Sequence, residues 1–259
     1  MTIDYLADAE LGTVTITIDR PDRRGALNHT ALEELDAALD RVAEDAPRSL
    51  VVWGTGDHFC AGADLTELED QSFTRALRGV LDRLAGLDVP TVAAIAGSCM
   101  GLGVQLALAC DLRLATPDAR FAVPVARLGL MVDHWTVQRL AAVFGSSTAR
   151  WMLLSAGVLD ADRAFTLGAV NELVEVDPEH GPGGTVRSAA EHLAGRIAEL
   201  APLSNSGSKL GLDLLQPDGT MADPHGAYAA AFDRAWASAD LVEGRAAFAD
   251  RRSPRFRGE

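Results

Sequence analysis

Between Asp88 and Asp111 the chain carries no charged residue: VPTVAAIAGSCMGLGVQLALAC runs from Val89 to Cys110. That length is close to what a helix needs to cross a bilayer. Pro90, Gly97, Gly101 and Gly103 interrupt it, however, and the Lys and Arg flanks that orient a spanning helix are missing. Burial inside the protein is the alternative. The run parses as a short apolar strand at Val92–Ile95, a turn at Ala96–Met100 and an apolar helix from Leu102 to Cys110, with strand and helix both in the core.

The turn is where chemistry could sit. Backbone N–H groups in the first turn of a helix have no intrahelical acceptor and face outward with the positive end of the dipole, so they can hold an anion or a developing oxyanion. Gly101 and Gly103 let a ligand approach that backbone; they equally suit a tight strand-to-helix turn with no ligand at all.

At 259 residues the chain can bury a sizeable core. A formal charge of -14 argues against a nucleic-acid partner. Basic residues gather only at Arg20–Arg24 and Arg251–Arg257, which suits a small phosphorylated ligand. Cys60, Cys99 and Cys110 are odd in number, with no CxxC and no histidine at metal-ligand spacing, so neither a disulfide framework nor a metal site is expected. MTIDYLADAELG has neither basic nor apolar signal regions, which points to a reduced, cytoplasmic protein.

Taken in order, Gly12–Asp19 alternates valine and isoleucine with threonine, the period of a half-buried strand. Thr30 and Glu33 read as a capping box before a helix whose apolar face is Leu32, Leu35, Ala38, Leu39 and Val42. Ser49–Trp53 is a buried strand. In DHFCAGADLTEL, the small residues Ala61, Gly62 and Ala63 open the backbone to close approach and Asp64 can cap a following helix, while His58 reads as a surface loop residue. Helices are expected over Phe73–Gly86 and from His134, and short strands at Asp111–Ala115 and Asn171–Val176. PEHGPGGT, at Pro178–Thr185, reads as a linker. It divides a ββα core, residues 1–185, from a helical tail, residues 186–259, with helices at Val186–Leu200, Ser204–Leu215, Tyr228–Ala237 and Asp240–Arg251.

Four segments together resemble the enoyl-CoA hydratase/isomerase, or crotonase, family: RPDRRGALN from Arg20, FCAGADL from Phe59, AGSCMGLGVQLALACDLRLA from Ala96, and AFADRRSPRF from Ala247. The resemblance implies an α/β fold, a spiral of ββα repeats with a C-terminal helical region for trimerisation, and a homo-trimer or a hexamer built of two trimers. It implies a coenzyme A thioester as ligand, with no covalently bound cofactor and no metal. The thioester oxyanion would be held by the backbone N–H groups of Ala63 and Leu102, the latter standing where the family usually has glycine. Coenzyme A would lie along Arg23, Ala26, Leu27, Ala61, Asp64 and Leu65, with Phe248 and Arg251 of a neighbouring subunit completing the adenine pocket. Gly25 stands where the family motif has asparagine.

In the hydratases of this family two glutamates share the proton transfers, and their positions fall on Gln105 and Val125. An amide and an alkyl group cannot exchange protons with water. Gln105 can hydrogen-bond a ligand or a water, or be a buried amide satisfied by nearby backbone. Asp133 stands where some members, dienoyl-CoA isomerases among them, carry a catalytic aspartate, and it equally suits the N-cap of the helix from His134. The run RLGLMVDHWTVQRL with Gln105 is similar to a mycobacterial hydratase-like member that binds fatty acyl-CoA for mycolic acid synthesis and also lacks the glutamate pair. By that likeness Trp135 lines the acyl end of the pocket; packing in the core is its other role. The expectation is a fatty acyl-CoA binder with little hydratase activity, serving fatty-acid synthesis enzymes. The alternative is an active hydratase or double-bond isomerase that uses Asp133 as its acid or base.

Overall fold

The computed structural model describes residues 2–64, 71–215 and 220–259. The chain begins with an antiparallel pair, β1 (Ile3–Asp8) and β2 (Thr13–Ile18). Helix α1 (His29–Asp45) follows, then β3 (Ser49–Gly54), α2 (Gln71–Ala85) and β4 (Thr91–Ile95). Next come β5 (Ser98–Met100), α3 (Leu102–Ala109), β6 (Leu112–Ala115) and β7 (Arg120–Ala122). After them lie α4 (His134–Phe144), α5 (Ser146–Ser155), β8 (Leu159–Asp160), α6 (Ala161–Thr166) and β9 (Glu172–Leu173). The chain closes with α7 (Gly181–Ala198), α8 (Pro202–Asp213), α9 (Ala227–Trp236) and α10 (Ala239–Asp250).

A six-stranded sheet in the order β1-β2-β3-β4-β6-β9 is parallel beyond its first pair, and β5-β7-β8 form a second, three-stranded sheet. The central strands SLVVWG and TVAAI are buried at every residue, as parallel strands covered on both faces must be. Their period of two sorts the side chains. Leu50, Val52, Ala93 and Ile95 meet α1, α2 and α3, while Val51, Trp53, Val92 and Ala94 meet α7.

That second covering layer overturns two expectations. β2 is not half-buried, because Thr15 is covered too and reaches Glu191 of α7. PEHGPGGT is not a linker: a turn at Asp177–His180 leads straight into α7 at Gly181. Gly183 serves close packing, since a Cβ there would stand 1.8 Å from the carbonyl oxygen of Gly56. The boundary at 185/186 therefore falls inside α7, whose Val186, Ala190 and Ala194 fill the back of the sheet. The tail is tied on further by Lys209 of α8. Its Nζ bonds the Val89 carbonyl at 3.1 Å and Asp111 Oδ2 at 2.8 Å, joining both ends of the uncharged run.

Other corrections are local. The N-cap of α1 is Asn28, whose side chain accepts from Ala31 N, so the helix starts before the Thr30–Glu33 box. Met100 and its two predecessors form β5 rather than a turn. Asp111 lies outside β6, accepting from the N–H and hydroxyl of Thr91. His58 is half-buried, its Nδ1 accepting from Ser98 N at 3.1 Å. Among the described residues no helix is long and apolar enough to cross a membrane.

Candidate active site

Three loops are zipped together by backbone hydrogen bonds. Residues 24–27 bond to 61–64 through Ala61 N to Arg24 O, Leu27 N to Gly62 O and Asp64 N to Leu27 O. On the other side, Phe59, Cys60 and Met100 bond to Ala96 O, Ser98 O and Cys60 O, each at 2.9 Å. Because Gly62 and Asp64 both turn their bonding groups to Leu27, the alternation of an extended chain sends the Ala63 N–H the other way. No acceptor meets it among the described residues. Gly101, at φ +53, has its own N–H on Ala122 O, and the next N–H, that of Leu102, opens α3 with no acceptor among the described residues.

Ala63 and Leu102 both line one cavity of about 580 Å³. Its walls are the Ala61–Ala63 loop, Phe73, Leu77 and Arg78 of α2, Met100–Leu102 and Gln105, and the segment from Pro124 to Asp133. Glycine is required where the loops touch. A Cβ on Gly103 would lie 2.2 Å from the Cys60 carbonyl oxygen, and one on Gly25, at φ +71, 2.5 Å from that of Phe59. Asparagine could adopt the backbone angle at position 25 but not fit the space, which accounts for the glycine there.

Side chains on α3 are buried at every position except Gln105, which lines the cavity together with Leu102. Its amide has no protein partner among the described residues, so it is not the backbone-satisfied amide that was its other reading. Val125 begins a 3-10 turn, Val125–Leu128, packs against the core and also borders the cavity. Asp133 does cap α4, accepting from Thr136 N at 2.8 Å, and it borders the cavity too. Arg78 pairs with it at 3.2 Å. Burial opposes ionisation, but the bonds from Thr136 and the Arg78 guanidinium outweigh it and hold the carboxyl below the usual carboxylate range.

Several expected contacts fall elsewhere. Trp135 is not in the cavity wall: the guanidinium of Arg78 covers its ring at 4.0 Å from the centroid, with Arg139 at 5.4 Å. Leu27 is wholly buried with both backbone groups bonded, and Asp64 is buried against Arg20 at 3.3 Å, so both are pins between loops rather than open ligand contacts. Arg23 is exposed and Ala26 and Ala61 are half-buried along the same rim, Ala61 in the cavity wall itself. Leu65 lies outside the described residues. Phe248, 87% exposed on α10, and Arg251 just beyond it do not join the cavity within one chain.

The sequence reading missed Arg20 as a pin and Arg78 as the partner of Asp133. The Arg20–Arg24 cluster was visible, but its pairing across the fold was not. Burial pushes the thiols of Cys60 and Cys110 up to about 12, and Cys99 rises likewise, so no cysteine is poised as a nucleophile. Among the described residues no group of His, Cys, Asp or Glu could hold a metal ion.

Residues 8–259 match the family model described as enoyl-CoA hydratase/isomerase. The probable enoyl-CoA hydratase echA6 of Mycobacterium tuberculosis is 37% identical over 246 residues, covering 95% of this chain and 96% of that protein. The mitochondrial enoyl-CoA hydratase domain-containing protein 2 of Bos taurus is 33% identical, over 98% and 87% of the two chains. Among solved structures, an enoyl-CoA hydratase/carnithine racemase from Magnetospirillum magneticum superposes with a TM-score of 0.88 at 28% identity, covering 100% and 96%. A putative enoyl-CoA hydratase/isomerase from Mycobacterium abscessus gives 0.84 at 32%, covering 99% and 100%.

Proposed function

Because the chain belongs to the enoyl-CoA hydratase/isomerase family and has its crotonase fold, we propose that it binds fatty acyl-CoA thioesters and turns them over poorly or not at all. The observation that carries this reading is a contrast within one cavity. Two free backbone N–H groups, of Ala63 and Leu102, are available to a thioester carbonyl, while the positions that would move protons hold Gln105 and Val125. Donors aimed at a carbonyl polarise it but cannot themselves activate water or protonate the enolate. Positioned acid–base catalysis is worth about 10²–10⁴ in rate, and that is the deficit expected.

In this reading Arg23 meets the phosphates of coenzyme A, and Phe248 and Arg251 of a second copy close over the adenine in a trimer or hexamer. No cofactor takes part. The protein is a cytoplasmic carrier that delivers acyl-CoA to enzymes of fatty-acid synthesis. The test is calorimetric titration with decanoyl-CoA beside an assay of trans-2-decenoyl-CoA hydration, with an active hydratase as control. Binding without comparable turnover supports the reading; no binding, or turnover equal to the control, overturns it.

A second reading is favoured by Asp133, the one carboxylate among the described residues of the cavity wall. It makes the protein a double-bond isomerase with Asp133 as acid or base. Isomerisation of an enoyl-CoA that disappears in Asp133→Asn, with the fold intact, would establish it.

A further inference from the structure

We propose that Arg113 is a positioning residue for the thioester carbonyl, acting on it through α3 by setting a buried positive charge against the C-terminal end of that helix. The inference rests on the acyl-CoA reading above, in which the Leu102 N–H at the other end of α3 meets the carbonyl.

A helix leaves its last carbonyls without intrahelical donors, and α3 ends inside the core. Arg113 of β6 supplies those donors. Its Nη1 bonds Ala107 O at 3.1 Å and Cys110 O at 2.8 Å, Nη2 bonds Asp111 O at 3.1 Å and Nε bonds Ala169 O at 2.7 Å. All four acceptors are neutral carbonyls, and the residue is 7% exposed. Burial pushes its ionisation down from the ordinary value, but a guanidinium does not lose its proton inside a protein.

The charges nearby leave this cation in excess. Asp111 is held by Lys209 at 2.8 Å, and both lie with Arg113 within electrostatic reach of Cys110, the C-cap of α3. Arg139, a further cation that acts on Arg113, is paired with Asp213. At the cavity end, Arg78 is flanked by Asp82 at 2.9 Å and Asp133 at 3.2 Å. The positive charge of Arg113 therefore offsets the negative end of the α3 dipole and leaves the positive end facing the cavity. The helix is 8 residues long, roughly 12 Å, and every residue but Gln105 is buried. At an effective dielectric of about 20, a unit charge at that distance changes the ionisation equilibrium of another group about tenfold.

The experiment uses 3-oxodecanoyl-CoA as a reporter of charge, because its enolate places negative charge on the thioester oxygen and absorbs in the near ultraviolet. It measures, in the full-length protein, the pH at which the bound reporter is half enolate, with thermal melts to confirm that each variant folds. Arg113→Gln should raise that pH by about one unit, a tenfold loss of enolate. Asp111→Asn, which removes a negative charge and keeps an oxygen for Thr91, should lower it. Loosened packing at this end of α3 would instead raise it in both variants. No rise in Arg113→Gln, or no fall in Asp111→Asn, overturns the inference while leaving acyl-CoA binding intact. Should Arg113→Gln fail to fold, Asp111→Asn decides by the same criterion. If the wild type does not bind the reporter, the acyl-CoA reading itself falls and takes the inference with it.

Discussion

The two sides of the cavity are built differently. The side proposed to hold a carbonyl is backbone: loops 24–27, 59–64 and 96–101 are fastened by main-chain hydrogen bonds, and Gly25 and Gly103 bring those chains into direct contact. The opposite side, where the proposed reading looks for proton transfer, is side chains, Gln105, Val125 and Asp133, the last two on a segment that also exposes Leu128, Leu130 and Met131. A backbone donor survives any substitution that keeps the main-chain path. A side-chain acid does not survive even one change of residue. The same fold can therefore keep its grip on a thioester while losing the chemistry, and the contrast can be broken from either side.

The largest expected effect comes from rebuilding the chemical side. Gln105→Glu combined with Val125→Glu should raise hydration of trans-2-decenoyl-CoA by about 10²-fold or more, equivalent to about 2.7 kcal/mol of barrier. The double variant must still bind decanoyl-CoA for the result to count. Retained binding with no gain in rate would mean that the two positions do not address the reacting carbons.

Breaking the other side should cost stability instead. Gly103→Ala sets a Cβ 2.2 Å from a backbone carbonyl that two strand-like bonds hold in place, a clash that no rotamer relieves. We expect a loss of about 2 kcal/mol in urea unfolding, within the usual range for an overpacked core, together with weakened thioester binding. A variant as stable as the wild type would show the three-loop clasp to be looser than its contacts imply.

The backbone side was the more legible of the two from sequence. FCAGADL and the glycines of the uncharged run marked two places where backbone could meet a ligand, because small residues and helix starts are local signals, and the family resemblance then named Ala63 and Leu102 within them. Gln105 was singled out by the family resemblance, as the position on which the first hydratase glutamate falls. What escaped depends on pairing over long separations: Arg20 with Asp64, Arg78 with Asp133, Lys209 with Asp111. β1, β5 and β7 escaped because, short or flanking, they carry too few alternating residues to stand out. The glycines of α7 were misread for a related reason. Gly183 is dictated by the carbonyl of Gly56, and nothing in PEHGPGGT itself distinguishes close packing from flexibility.

Asp133 gives the smallest effect and the sharpest discrimination between the two sides. As an N-cap it should cost about 1 kcal/mol when changed to alanine, whereas asparagine, an equally good cap, should keep the helix and lose only the charge beside Arg78. With the folded carboxyl held below the ordinary value near 3.9, its charge-dependent contribution is complete above that pH and disappears as the pH falls through the lower folded value. The stability gap between wild type and Asp133→Asn should therefore stay constant from neutrality down to about pH 4 and close only below it. A general acid working near neutral pH needs the opposite shift, upward by burial, and its gap would change between about pH 5 and 7. Chemical denaturation of the two proteins across that range separates a helix cap that borders the cavity from a catalytic acid that also happens to cap.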